Sequence, residues 1–261
     1  LAVSTSASLQ GSSEIALSNV VGSNIFNLLC VLGVCAVMKP VPVERGILQR
    51  DFTVAIGSTF FVLAVTGGSL FFGRRTADTG MEAVAGSVSS ITGLVLTAGF
   101  LVYMGCLLYH AKKNPGQEAE GKPVPVWMCI LMIISGLVLV VGGGQAVVSS
   151  ARELARAAGM TETLIGFTIV AVGTSLPELV TSVVAAGKGQ TELAVGNVVG
   201  SNIFNLMFIL GISAVISPVA VNVASVYDML ILVFVSILMF LFSFTSGKID
   251  RMEGGIMIVL Y

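Results

Sequence analysis

The stretch Asn19–Leu28 reads NVVGSNIFNL, and the same ten residues recur at Asn197–Leu206, each time inside a long apolar run. A shift of 178 residues aligns Leu1–Val43 with Leu179–Val221 at 23 identities in 43 positions, among them Glu14 with Glu192, Gly33 with Gly211 and Pro40 with Pro218. Chance does not produce such a match, so the chain is internally duplicated. A buried amide or hydroxyl costs free energy unless something pairs with it, so two copies of a polar motif at membrane depth imply a polar occupant between them.

Composition puts the chain in a bilayer. It is 55% apolar and 10% charged with mean hydropathy +0.98, against roughly a quarter charged in soluble domains. Thirteen basic and fourteen acidic residues nearly cancel, which removes any case for a nucleic-acid partner. Cys30, Cys35, Cys106 and Cys129 lie in apolar stretches without a CxxC pair and read as free thiols. Leu1 opens neither a signal peptide nor a basic leader, and the chain stops at Tyr261 shortly after Arg251 begins an apolar run. Both ends are expected to be cut.

The apolar runs predict a helix tail at Leu1–Leu9 and spans at Glu14–Met38, Phe52–Phe72, Ala83–Tyr109, Val126–Ser149, Leu164–Ala186, Leu193–Ile216 and Met229–Phe244, with a truncated one after Glu253. The expected fold is an all-α polytopic membrane protein of two repeat halves. Residues 1–110 form the first half, 111–125 a polar hinge, and 126–261 the second half. Basic residues stay on the cytoplasmic side. Nine of them (Lys39, Arg45, Arg50, Lys112, Lys113, Lys122, Lys188, Lys248, Arg251) fall on one side, against Arg74, Arg75, Arg152 and Arg156 on the other. The hinge is therefore expected in the cytoplasm. Five crossings separate Asn27 from Asn205, an odd number, so the copies run in opposite directions. Secondary transporters use such inverted repeats, with the substrate near the midplane.

The second half carries further chemistry. Gly173, Thr174, Ser175, Leu176, Pro177 and Glu178 fall midway along a span. Pro177 is expected to clash with the Gly173 carbonyl and free oxygens in the preceding turn. Glu178, read as the one carboxylate so deep, costs several kcal/mol at the midplane unless it faces a cation or a hydrated cavity. Ser201 and Asn205 share a helix face, with Gly200 expected to permit close approach. All these donors are hard oxygens, which suit calcium or sodium rather than soft transition metals. The lone histidine, His110, opens the polar stretch that runs to Pro125 and reads as a surface residue.

GTSLPE followed about twenty residues on by GNVVGSNIFN closely resembles the alpha-repeats of the calcium/cation antiporters, in their prokaryotic sodium/calcium exchanger branch. The resemblance covers nearly the whole chain and implies a place in the plasma (inner) membrane of a prokaryote. It implies five helices per half in the parent protein, a two-fold axis in the membrane plane, and exchange of calcium for sodium by alternating access, with no cofactor besides the transported ions. It implies Glu178 as the central carboxylate, oxygens from Thr174 and Ser175, the carbonyl of Ala171 facing sodium, and Ser201 and Asn205 from the next helix. In the first repeat Ser23 and Asn27 carry over. The first-repeat counterpart of GTSLPE would precede Leu1. Many exchangers carry aspartate where Asn205 stands; asparagine in both repeats leaves fewer charges, and a proton is the alternative driving ion.

Plainer readings stand beside these. Ser23 and Ser201 could bond back to the preceding turn, and Asn24 or Asn202 could join helices. Glu14, Glu82, Glu192 and Glu253 read as helix N-terminal charges, Gly142, Gly143 and Gly144 as packing positions or a sliding surface, and the phenylalanines as lipid-facing bulk. An intramembrane serine hydrolase built on Ser175 lacks a nearby base, since the one histidine lies at that polar stretch. A channel would conduct without coupling, and an assembly partner would be indifferent to Glu178→Gln. Oligomeric state is not legible in the sequence.

Overall fold

An apolar run that crosses a bilayer must satisfy its own backbone groups, and a helix does so. The computed structural model describes residues 13–72, 84–113, 125–160 and 171–261. The expected Leu1–Leu9 tail, Glu82, the Glu14 side chain, most of the hinge and the first part of the Leu164–Ala186 span lie outside the described residues. Among the described residues, six helices are long and apolar enough to cross a membrane: Leu17–Met38, Ile47–Gly67, Ser90–Lys113, Val126–Ala157, Thr191–Ile216 and Val223–Ser246. Each answers to an expected span, and the protein is a polytopic helical membrane protein. The fourth outruns its expected end at Ser149 by continuing to Ala157.

In chain order the elements are α1 (Ser13–Phe26), α2 (Leu32–Met38), β1 (Val41–Pro42), α3 (Thr53–Phe72), β2 (Val84–Val88), α4 (Ser90–Lys113) and α5 (Val126–Ala157). They continue with α6 (Ala171–Gly173), α7 (Leu176–Gly187), α8 (Thr191–Ile203), α9 (Leu210–Ile216), β3 (Val219–Asn222), α10 (Val223–Ser246), β4 (Lys248–Ile249) and α11 (Arg251–Leu260). Wider π turns join α1 to α2 (Asn27–Val31) and α8 to α9 (Phe204–Ile209), and one precedes α3 (Ile47–Phe52). Two compact units result, Leu1–Phe100 with Thr181–Tyr261, and Leu101–Val180. The first draws on both sequence halves.

Within the larger unit the strand pairs and the contacts of the two motif helices have counterparts in the other repeat. β1, which follows the first motif helix, pairs antiparallel with β4 of the second repeat, and β3, which follows the second motif helix, pairs antiparallel with β2 of the first. The start of the first motif span, α1, packs on β3 at the end of the second, while α8 packs on β1. The two motif helices therefore cross antiparallel, and the repeats are inverted as the odd number of crossings requires.

Glycine carbonyls set how closely these helices approach. A Cβ on Gly254 of α11 would stand 2.8 Å from the Gly33 carbonyl and from Ala36 Cβ, and one on Gly93 of α4 would stand 2.6 Å from the Gly211 carbonyl. Gly200, expected at such a contact, has nothing within 4 Å of that position among the described residues, and the same holds for Gly142 and Gly143. Close packing belongs instead to Gly33, Gly93, Gly211 and Gly254, where the backbone of one helix stands against that of another. The core around them includes Leu17, Leu32, Leu210, Met229 and Met257. Phe26 and Phe52 are buried in it, against the expectation of lipid-facing bulk, whereas Phe60, Phe234 and Phe244 are exposed as expected. All four cysteines are free thiols.

Helix ends follow local chemistry. The Asn222 side chain accepts from Ser225 N–H at 2.8 Å and starts α10. Asp250 and Glu253 form a reciprocal capping box at α11, each bond 2.8 Å, which fulfils the N-terminal role read for Glu253. Glu192 sits in the first turn of α8 as read. Asp250→Ala is expected to lower stability by about 1 kcal/mol through loss of the cap. Gly93→Ala and Gly254→Ala are expected to cost about 1–3 kcal/mol by forcing helix backbones apart, while Gly57→Ala, with open space around it, is neutral or better. Thermal unfolding in detergent ranks all four.

Candidate functional site

Amides buried between helices need partners, and here the two motifs supply them to each other. Asn24, Asn27 and Asn202 are 2%, 0% and 4% exposed. Asn24 Nδ2 donates to the Asn202 backbone carbonyl at 3.1 Å, and Asn202 Nδ2 donates to the Asn24 backbone carbonyl at 3.2 Å. Asn27 Nδ2 donates to Asn202 Oδ1 at 3.1 Å, and Asn205 Nδ2 donates to Asn24 Oδ1 at 3.1 Å. Each bond has its image under exchange of repeats, as a two-fold axis through the crossing demands. Joining the helices, one of the plainer readings of Asn24 and Asn202, is what these side chains do.

The π turns sit at the same place. Leu32 N–H reaches back to the Asn27 carbonyl and Leu210 N–H to the Asn205 carbonyl, five residues away in each copy. π turns of this kind hold an extra residue and recur at functional sites. No residue type marks them in the sequence; only the exact duplication of the motif pointed here. Asn27 Oδ1 is buried with no hydrogen-bond partner among the described residues. An amide oxygen left so costs about 1–3 kcal/mol, and its lone pairs suit a cation or a water. Ser23 and Ser201, half-buried, lie one turn before Asn27 and Asn205.

A further contact was not singled out from the sequence. Asn197 Nδ2 donates to Ser182 Oγ at 2.9 Å and to Thr181 Oγ1 at 3.0 Å, tying α8 to α7. Asn197 opens the duplicated motif, which was the available signal.

The GTSLPE segment interrupts its helix, by a stop and a restart rather than by the expected clash of Pro177 within a continuous helix. Helix α6 ends at Gly173, Thr174 and Ser175 form a turn, and α7 starts at Leu176. Ser175 N–H donates to the Val172 carbonyl at 3.1 Å, and Leu179 N–H to the Ser175 carbonyl at 3.0 Å. Pro177 thus occupies the first turn of α7, where a missing N–H costs nothing. Glu178 lies in that same turn, where the helix presents its positive end to a carboxylate. A side chain at Gly173 would run into Val148 of α5, so the break lies directly against that helix. Ser175 is buried, while Thr174 and Glu178 are half-buried. Two further carboxylates lie near the starts of spans: Asp51 is buried and pairs with Arg50 at 2.6 Å, and Asp228 lies in α10.

The structure therefore gathers Asn27 and Asn205 about one crossing, with Ser23 and Ser201 a turn away. It places Ala171, Thr174, Ser175 and Glu178 at one helix break in the other compact unit.

A profile of the family described as "Sodium/calcium exchanger protein" matches residues 1–109 and 128–261. The sodium/calcium exchanger MaX1 of Methanosarcina acetivorans is 30% identical over 294 residues, covering 100% of this chain and 82% of its own length. The inner membrane protein YrbG of Escherichia coli is 32% identical over 228 residues, covering 83% and 64% respectively. Among solved structures, the sodium-calcium exchanger NCX_Mj superposes with a TM-score of 0.79 at 29% sequence identity, over 100% of this chain and 79% of that one. With a profile that spans nearly all of its length, this chain belongs to the sodium/calcium exchanger protein family.

Proposed function

We propose that this protein is a secondary transporter that exchanges calcium for sodium across the membrane by alternating access. The observation that carries the reading is the antiparallel crossing of two identical GSNIFN helices, where the buried Asn27 Oδ1 has no hydrogen-bond partner among the described residues. MaX1 and NCX_Mj, both named sodium/calcium exchangers, support these ions over a proton as the coupled pair. Their role is transport rather than catalysis, and the same is proposed here.

By the family's pattern the ligands are Glu178, Thr174, Ser175 and the Ala171 carbonyl from the helix break, with Ser23, Asn27, Ser201 and Asn205 from the motif helices. Glu178 supplies negative charge; the rest supply neutral oxygens in place of the ion's water. Calcium and sodium compete for overlapping oxygens, so one kind of ion occupies the site in each half-cycle. Competition then produces exchange when the site opens to one side at a time. The basic residues support a cytoplasmic hinge, and the name of YrbG supports an inner-membrane location.

Calcium uptake into proteoliposomes that hold the complete natural chain, under outward sodium or proton gradients, tests the proposal. Uptake should follow the sodium gradient and fall at least about a hundredfold in Glu178→Gln, the loss expected when a buried charge loses its partner. Uptake indifferent to either gradient would indicate a channel, and uptake that follows protons alone would replace the coupling ion.

A further inference from the structure

We propose that Asn24 and Asn202 are positioning residues that decide which end of the Asn27 and Asn205 amides faces the transported ion; this rests on the exchange reading above. The argument is one of donors and acceptors. A backbone carbonyl only accepts, so the bonds from Asn24 Nδ2 to the Asn202 carbonyl and from Asn202 Nδ2 to the Asn24 carbonyl fix both side-chain amides in one orientation. With the NH2 groups committed, the oxygens Asn24 Oδ1 and Asn202 Oδ1 must point the other way, at residues 205 and 27. Those residues can meet an oxygen only by donating, and they do, at 3.1 Å each. The carbonyl ends of Asn27 and Asn205 are therefore turned away from the clasp by necessity.

An amide rotated by half a turn would present NH2 to a cation and repel it. The clasp excludes that state without adding charge, because all four members are neutral. It also accounts for asparagine at position 205. A carboxylate there would set an oxygen against Asn24 Oδ1, and Asn24 could turn to meet it only by facing the Asn202 carbonyl with its own oxygen. Asn205→Asp is thus opposed by Asn24.

The two arms are separable. Asn24→Leu removes the acceptor for Asn205 but keeps the Asn24 backbone carbonyl that orients Asn202, so the Asn202–Asn27 arm stands. In sodium-driven uptake by the complete natural chain, Asn24→Leu should raise the calcium KM about tenfold, a factor that corresponds to 1.4 kcal/mol, with Vmax retained. Asn205→Leu should raise it comparably, and the Asn24→Leu/Asn205→Leu double variant should be no worse than Asn205→Leu alone, since one acts through the other. Asn24→Leu combined with Asn27→Leu should instead multiply the two effects. Independent, multiplying effects within the Asn24–Asn205 pair would overturn the proposal. So would a fall in Vmax and unfolding temperature at unchanged KM, which marks a purely structural role. Asn24→Ser carries the same comparison if the leucine variant is not monodisperse. Absence of calcium uptake by the unaltered protein would overturn the exchange reading and the clasp's role together, whereas normal uptake with multiplying effects sinks the clasp alone.

Discussion

An amide in an apolar interior must be paired, and the larger unit of this protein is organised around one solution: the side-chain amides of Asn24 and Asn202 and the NH2 groups of Asn27 and Asn205 find their partners in the other motif. The bonds run from side chain to backbone in both directions between Asn24 and Asn202. Neither helix could keep its asparagines buried without the other. That mutual need explains why the duplication is strictest over NVVGSNIFNL, since a change in one copy would strand a donor or an acceptor in its partner. The antiparallel crossing, the exchanged strand pairs β1–β4 and β2–β3, and the glycine contacts of Gly33 with Gly254 and Gly93 with Gly211 repeat the same exchange at greater distance from the axis.

The contributions differ in kind. The glycine contacts give proximity: backbones meet because no side chain intervenes, and dispersion then acts over many atoms. The amide bonds give register, since a shift of one residue along either helix would misplace every donor. The π turns add a third element by widening the helix where the asparagine carbonyls receive Leu32 and Leu210 N–H. In apolar surroundings the net worth of each amide bond is modest, roughly 1 kcal/mol, while the penalty for an unmade one is larger. The network therefore specifies the crossing more than it stabilises it.

Much of this was legible in the residues. Duplication, spans, inverted direction and the polar break at Gly173–Glu178 follow from identity, hydropathy and residue chemistry, all of which are local. What the sequence withheld depends on contacts between distant segments. Pro177 predicts a disturbance, but whether the helix kinks or stops is set by the turn at Thr174–Ser175, which lets the proline fall in a first turn. Gly200 and Gly33 look alike on paper; only the position of α11 makes Gly33 a contact and leaves Gly200 open. Phe26 and Phe52 could not be told from lipid-facing phenylalanines, because membrane lipid and membrane-protein core are equally apolar. The π turns left no trace, as no residue type requires them.

The neutrality of the crossing has its own consequence. Four asparagines bring oriented dipoles to the two-fold axis without net charge, so the desolvation cost that an ion pair would carry at this depth is avoided. In the exchange proposed above, a cation held there by amide and hydroxyl oxygens would be attracted through dipoles fixed in advance by backbone carbonyls, with no need to reorient them on arrival. Such attraction is weaker than that of an added carboxylate, and weakness has a use in a transporter, because an ion bound too firmly on one side is not released on the other.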